Sequence, residues 1–569
     1  MKNYLISQMF EKMADSLEFQ GENPFKVNAY RRAARVIVSL TEDIENIWKM
    51  GNLREVPGVG EGIAKKIDEF LKTGRMNKYE EALSEVPDTL IKLMKIQGLG
   101  PKTLFLINKE LGVKDLEDLK KVISDGSLAN LPSMGEQKVN NIKRGIEWFL
   151  HSKDKILLGK AYHLVERIIE ELKKRVDIED ITPAGSLRRM NETVGDIDIL
   201  ATGNNPKKII EEFTSLSNIA QVIACGNTKG SIITKEGVQV DLRIVDRSSF
   251  GAALQYFTGS KSHNIKMRTI AKERGLKINE YGVFKDEEKI AGKTEYEVYQ
   301  SLNMKWIPPE LREDRGEIEL YLEGQSIEII QQNNILGDLH IHSVWSDGVF
   351  TIEEIALKAK EYGYKYVAIC DHSQSVKYAG GLTEKEIVRQ IEEIREINAK
   401  IPGIEILAGS EVDIKSNGNL DFSDKILEKL DIVIAAIHTG FKQNVTQRII
   451  TAMENPLVNV IAHPTGRLIS SREGYEVDIA KVIEKAANTK TFLEINSYFD
   501  RLDLNDINCR KAKEFGAKFT LGTDAHHIDQ FWTMKLGVGV ARRGWLSKED
   551  ILNTYEIEDL MKYLKIKRQ

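Results

Sequence analysis

Three cysteines in 569 residues, Cys225, Cys370 and Cys509, are too few, odd in number and too far apart for a disulfide framework or a thiolate zinc site. Such thiol usage fits a reducing compartment, and the cytoplasm is the expected location. Long apolar runs are also missing. The stretch 432–437 falls far short of the roughly 20 residues that span a bilayer, so no membrane partner is expected. Residues 1–11 lack the charge and apolar pattern of a targeting peptide. No long low-complexity run occurs, which excludes collagen-like and prion-like chains, and 41% apolar with 7% aromatic residues excludes disorder. A strong charge of either sign is absent as well: 81 basic against 86 acidic residues give −5, which decides nothing about polyanion binding. The length alone predicts three or four domains at roughly 100–200 residues each.

Periodicity divides the chain. Residues 1–150 read as short amphipathic helices joined by glycine turns, with Ile63, Ile67, Phe70 and Leu71 at helical spacing. Between 178 and 246 the alternation changes to that of half-buried strands, over 197–200, 231–234 and 238–245. Residues 310–333 are acidic, follow Pro308-Pro309 and read as a linker, helical in part. Beyond them strand and helix alternate about seven times, as in an α/β barrel.

Seven of the ten histidines follow residue 334, six of them at the ends of apolar runs. His340 and His342, at i and i+2 of one strand, share a face. Other runs end in His372, Glu411, His438, His463, and Asp524 with His526, while Asp347 lies just past the first strand. If these strands are parallel and close into a barrel, all of these groups reach its C-terminal rim. A lone histidine at a strand end is more often a hydrogen-bonded polar residue; a ligand type at six strand ends is not explained that way. Imidazole and carboxylate without thiolate suit Zn²⁺, Mn²⁺ or Fe²⁺, and so many donors call for two or three ions, the equipment of a phosphoesterase.

The motifs Asp338-Leu339-His340-Ile341-His342-Ser343, Asp371-His372-Ser373, Gly409-Ser410-Glu411-Val412-Asp413, His463-Pro464-Thr465-Gly466-Arg467 and Thr523-Asp524-Ala525-His526 resemble the polymerase and histidinol phosphatase (PHP) domain. The resemblance implies that His340, His342, Asp347, His372, Glu411, His438, His463, Asp524 and His526 hold the metals, Zn²⁺ or Mn²⁺. His527 stays outside the pattern.

A different site is written in the middle region. Asp196 and Asp198 share a strand face, and Asp241 lies in a later strand; three oxygen donors suit Mg²⁺. Upstream, Gly185-Ser186-Leu187-Arg188-Arg189 offers N–H groups, a hydroxyl and guanidinium groups to a triphosphate. Together with Tyr256-Phe257-Thr258-Gly259-Ser260, Asn264, Arg268 and Asn279-Glu280-Tyr281, this set resembles family X DNA polymerases. The resemblance implies two Mg²⁺ (or Mn²⁺) on Asp196, Asp198 and Asp241. It also implies deoxynucleotide contacts from Gly185, Ser186, Arg189, Gly195, Tyr256, Phe257, Gly259 and Asn264, and a template contact from Arg268. Gln239 departs from the arginine of vertebrate members, which removes a charge beside the third carboxylate.

In the N-terminal helices, 56–67 contains Gly58 and Gly60, 97–102 contains Gly98, Gly100 and Lys102, and 131–138 is a looser third run. Such helix–hairpin–helix turns bring backbone N–H groups to DNA phosphates without regard to base. Lys66 matches the Schiff-base lysine of members with deoxyribose-phosphate lyase activity. A plain phosphate-contacting lysine is the other reading, and a nucleophilic one needs burial or cationic neighbours such as Lys65 and Lys26.

The expected architecture is multidomain: helical helix–hairpin–helix domains over 1–85 and 86–150, an α+β nucleotidyltransferase palm over 151–248, a thumb over 249–315, a linker over 316–334, and a distorted (β/α)7 PHP barrel over 335–569. By resemblance the chain is a family X polymerase that fills short gaps in gapped or primer–template DNA, acts as a monomer, and uses its PHP domain for 3′-5′ exonuclease work and incision at abasic sites. The alternative is a DNA-directed phosphoesterase whose polymerase-like region is only a scaffold.

Overall fold

Glycine-led helices and alternating strands account for most of the architecture. The computed structural model describes residues 2–39, 44–56, 58–86, 88–94, 96, 99–132, 134–136, 138–140, 142, 143, 146, 155–469 and 474–568. They form two compact units, Met1–Lys155 with Ile233–Val238 and Ile156–Ile232 with Gln239–Gln569.

In the first unit, helices Lys2–Phe19 and Pro24–Ser39 bury Phe10, Met13, Ala33 and Ile37 in one core with Ile63 and Ile67 of helix Glu61–Thr73. Phe70 and Leu71 are half-buried beside them, as the helical spacing predicts. A second core gathers Leu90, Leu104, Ile107, Leu119 and Ile142. Three glycine turns repeat one bonding pattern. The N–H groups of Val59, Leu99 and Met134 donate three residues back, to Val56, Ile96 and Leu131. The carbonyls of Gly60, Gly100 and Gly135 then accept from Ala64, Leu104 and Val139. The looser third run thus turns as the first two do.

The second unit begins with β1 (Ile156–Leu157), paired with β3 (Thr193–Val194), and helix Leu158–Arg175. Its main sheet joins β2 (Asp180–Pro183), β4 (Asp196–Thr202), β5 (Ile219–Cys225), β6 (Lys229–Thr234) and β7 (Gln239–Ile244) in the order β2-β4-β7-β6-β5. The strands expected over 197–200 and 231–234 lie within β4 and β6, and the one expected over 238–245 covers β7 and exceeds it by one residue at each end. Along β7 the residues alternate, with Val240, Leu242 and Ile244 buried and Gln239, Asp241 and Arg243 half-buried. Next come helices Phe250–Thr258 and Lys261–Glu273 and an antiparallel sheet of β8 (Leu276–Asn279), β9 (Gly282–Lys285) and β10 (Glu288–Ala291). Tyr299, Met267 and Val283 lie in their shared core.

The stretch 310–333 departs from its reading as a linker. Helix Glu317–Leu322 buries Ile318 and Tyr321 in that same core. Several of its acidic residues are paired internally: Glu317 bonds His263, Glu310 bonds Arg542, and Glu313 bonds Arg189 and Arg543. Paired acids mimic a solvated segment in sequence because their cations lie up to 232 residues away.

Seven parallel strands follow in sequential order: β11 (Gly337–Ile341), β12 (Tyr366–Ile369), β13 (Glu405–Asp413), β14 (Ile432–Ala436), β15 (Val460–Ile461), β16 (Phe492–Asn496) and β17 (Phe519–Gly522). Beyond β17 the chain turns back on β11, where His342 N–H donates to Ala525 and Asp524 N–H to His340. That seam draws the first and last strands together into a near-closed barrel. Helix Ile557–Lys565 packs Leu560 and Leu564 into the barrel's apolar cluster. Among the described residues no helix is long and apolar enough to cross a membrane.

Candidate functional site

Parallel register puts the barrel's polar strand ends at one rim, and the structure brings all nine sequence-predicted donors together there. Glu411 is central. Its Oε1 lies 2.8 Å from His463 Nε2 and 3.2 Å from His438 Nε2, and its Oε2 lies 2.9 Å from His372 Nδ1 and 3.7 Å from both His340 Nε2 and His342 Nε2. Asp524 Oδ1 is 3.1 Å from His342 Nε2, while Asp347 reaches His526 Nε2 at 3.3 Å and His372 Nε2 at 3.6 Å. Three overlapping sets have donor atoms within 4.8 Å of one another: His342, Asp347, His372 and His526; His340, His342 and Asp524; His372, Glu411 and His438. Asp524 and His463 both hold left-handed backbone, φ 53° and 28°, a strain that collects at functional positions.

This donor set fits cations. Ring nitrogens of His340, His342 and His463 are buried without a hydrogen-bond partner, and each such atom costs about 1–3 kcal/mol unless something binds it. Burial, with His372 and His526 close by, pushes His342 down to about 3, so its lone pair stays available to a metal. Burial would raise Glu411 and Asp524, yet the imidazoles around them hold both carboxyls well below their usual range.

Supporting groups that the sequence reading passed over surround these donors. Glu494 bonds His340 Nδ1 at 2.6 Å and His463 N–H at 2.7 Å; Asp413 faces His438 Nδ1 at 3.3 Å; Asn496 bonds Asp524 at 3.1 Å. Arg501 Nε stands 3.5 Å from Asp524. Asp338 ties Thr523 to the first strand, and Asp371 ties Ser343 and Gln390 to the second. Asp338, Asp371 and Asp413 stood inside the quoted motifs, two residues or fewer from a donor. Glu494 gave no such signal, because β16 is the barrel strand at whose end no predicted donor stands.

In the main sheet of the second unit, β4 and β7 are parallel with Asp198 opposite Asp241, and Asp196 precedes on the same face. Three carboxylates therefore share one surface by register alone. Burial, then Asp196 and Asp241, push Asp198 up to about 7, and burial and Asp241 raise Asp196. Carboxylates crowded this way favour a divalent cation among them. Asp241 receives Gln239 Nε2 at 3.0 Å and Lys229 at 3.3 Å, so Gln239 keeps a hydrogen bond where an arginine would add charge. Gly185, at φ 62°, lets the backbone approach Asp198: a Cβ there would stand 3.0 Å from Oδ2.

The predicted nucleotide residues are partly committed to one another. Arg188 forks onto Glu295 at 2.8 Å through both amino groups. Arg189 donates from Nε to Glu313 at 3.0 Å and from Nη1 to the Thr258 carbonyl. Asn264 donates to the Tyr256 carbonyl and accepts from Gln255. Tyr256 and Phe257 meet edge-on at 5.1 Å, and Arg243 lies 4.6 Å over Phe257. Ser186 sits in the one-turn helix Gly185–Arg188, Gly195 has open space at its α-carbon, Gly259 takes φ 71°, and Arg268 is exposed.

In the first unit, Gly60 and Gly100 cap their helices in extended backbone, with no side chain capping either helix. Gly58, at φ 81°, abuts Arg32. Gly98 and the Lys102 side chain lie outside the described residues. Lys66 donates to the Gly62 carbonyl at 2.9 Å and lies 5.6 Å over the Tyr30 ring. Lys65 and Lys26, the expected cationic neighbours, are ion-paired to Glu61 and Glu22.

Four family models match: a helix-hairpin-helix domain over 1–76, a SAM-like helix-hairpin-helix tandem over 90–147, a DNA polymerase beta thumb over 253–313 and a PHP domain over 338–498. Over 567 residues, 98% of this chain and 99% of the relative, it is 41% identical to the DNA polymerase/3′-5′ exonuclease PolX of Bacillus subtilis strain 168. The chain belongs to the PolX family. The PolX barrel has relatives of its own: a probable phosphatase of Thermoanaerobacter sp. strain X514 is 33% identical over 247 residues, 41% of this chain and 95% of that protein. A probable phosphatase of Syntrophotalea carbinolica is 30% identical over 230 residues, 38% of this chain and 90% of that protein.

Proposed function

We propose that this PolX protein is a family X DNA polymerase that fills short gaps in damaged DNA and trims 3′ ends with its PHP barrel. The observation that carries the reading is the presence, in one chain, of the in-register triad Asp196, Asp198 and Asp241 and of the nine-donor cluster around Glu411. The two donor sets differ in chemistry, oxygen-only against imidazole-rich. They suit different ions: Mg²⁺ or Mn²⁺ in the palm, and two or three Zn²⁺ or Mn²⁺ in the barrel.

Bound cations supply charge neutralisation on phosphate oxygens and activation of the attacking oxygen, a primer hydroxyl in one site and water in the other. The chain's own residues do the rest. Ser186, Arg189 and the amides at Gly185 and Gly195 receive the triphosphate of a deoxynucleotide. Tyr256 and Phe257 wall its sugar and base, Gly259 and Asn264 shape that wall, and Arg268 reaches the template. Amides at Gly58, Gly60, Gly98 and Gly100, with Lys102, grip the DNA backbone on the two sides of a gap. Lys66 is the residue for a deoxyribose-phosphate lyase step, and the barrel also incises at abasic sites. With all three cysteines free, a cytoplasmic monomer is the proposed form.

Incubation with a one-nucleotide gap, deoxynucleotides and Mg²⁺ or Mn²⁺ tests this reading. Single-nucleotide extension that stops on chelation supports it. Tight gap binding and 3′ trimming without any incorporation would instead favour the scaffold alternative.

A further inference from the structure

The stretch from Arg189 to Asp196 carries proposed triphosphate and metal contacts, yet much of its support comes from the barrel domain. Met190, in left-handed backbone at φ 55°, packs against Gly539 of helix Met534–Arg543 so closely that a Cβ on Gly539 would stand 2.6 Å from the Met190 Cε. Arg467 forks onto Glu192 at 3.0 and 2.6 Å. Arg543, buried, donates from Nη1 to the Arg189 carbonyl at 2.8 Å, to Asn191 at 2.6 Å and to Glu313 Oε1 at 2.9 Å. Asp506 holds Arg543 from behind at 3.1 and 3.0 Å and also receives Arg315 at 2.8 Å.

The oxygen of Glu313 that accepts from Arg543 is the one that accepts Arg189 Nε. Arg189 is thus held at Nε by Glu313 and at Nη1 by Thr258, and Nη2 remains the uncommitted donor among the described residues. A guanidinium fixed in this way loses little conformational freedom when an anion arrives, whereas a free one must first be ordered. Asp506, Arg543, Glu313 and Arg189 make an unbroken line of charge-assisted bonds from the barrel domain to the nucleotide site.

We propose that Arg543 is a positioning residue for nucleotide transfer, acting through Glu313 to orient Arg189 toward the incoming triphosphate. The proposal rests on the reading of Arg189 as a triphosphate contact.

Steady-state single-nucleotide gap filling with the full-length protein tests it, using Arg543→Lys, Arg543→Ala, Glu313→Gln and Arg189→Ala, with 3′-end removal measured on the same preparations. Arg543→Ala and Glu313→Gln are expected to raise the nucleotide KM about tenfold with kcat within about threefold, Arg543→Lys to fall between them and the parent, and 3′-end removal to stay unchanged. Should Arg543→Ala fail to fold, Arg543→Lys and Glu313→Gln carry the test. A KM within about twofold of the parent in both, while Arg189→Ala raises it, overturns the relay and leaves the reading of Arg189 standing. An unchanged KM in Arg189→Ala overturns that reading and the relay with it. Loss of polymerisation and 3′-end removal in step in Arg543→Lys also overturns the proposal, since a purely architectural role would do that.

Discussion

Glu494 holds His340 through a 2.6 Å contact to Nδ1, which leaves Nε2 pointing toward Glu411 and Asp524. The carboxylate thereby selects the ring nitrogen offered to the cluster and fixes the plane of the imidazole. Its other oxygen receives the N–H of His463, so one side chain sets two donors from different strands.

Replacing Glu494 with Gln should weaken cation binding at the barrel by about 10–100-fold. Titration of 3′-end removal against Mn²⁺ should show the midpoint moving to higher concentration, with recovery at saturating metal and gap filling untouched. An unmoved midpoint would show that Glu494 does not orient His340.

Gly522 faces the same pair. A Cβ there would stand 2.4 Å from His340 Cβ and 2.6 Å from Glu494 Oε1, so Gly522→Ala must push both aside. Overpacking of this kind costs about 1–3 kcal/mol. Thermal melting should show a destabilised barrel, and 3′-end removal should fall further than stability alone explains. Parent-like activity would mean the rim repacks freely.

Much of this was legible in the sequence. Ligand types at the ends of apolar runs announced the barrel rim, because parallel strands deliver their C-terminal ends to one side. Alternation in 238–245 announced a face for Asp241. What it did not announce were partners set by tertiary contact: Glu494 on the barrel strand that ends in no predicted donor, the pairing of Glu310 and Glu313 with distant arginines, and the commitment of Arg188 to Glu295. The acidic 310–333 stretch read as a linker for the same reason, since local composition cannot reveal cations supplied from elsewhere in the chain.

Burial alone would raise the Glu313 carboxyl, but Arg543, Arg189 and Arg315 bring it down to about 2. A depressed carboxyl stabilises the fold above its ordinary value of 4.5 and loses that contribution as pH falls toward 2. The charged form contributes on the order of 3 kcal/mol. Denaturant unfolding of the parent and of Glu313→Gln should show a clear advantage for the parent at neutral pH that shrinks steadily below about pH 4.5. An advantage that ignores pH would assign the effect to packing.

Lys66 can be tested directly. Borohydride added during reaction with an abasic-site substrate should trap a covalent adduct in the parent and none in Lys66→Ala, which should still bind gapped DNA. No adduct in the parent would leave Lys66 a phosphate contact, in keeping with the ion-paired state of Lys65 and Lys26.

The most direct measurement compares Asp196→Ala and His342→Ala on one gapped substrate, scoring nucleotide addition and 3′-end removal side by side in folded protein. Asp196→Ala should abolish addition and spare removal, and His342→Ala should do the reverse. Loss of both activities in either variant would contradict the existence of two independent metal-dependent sites in this chain.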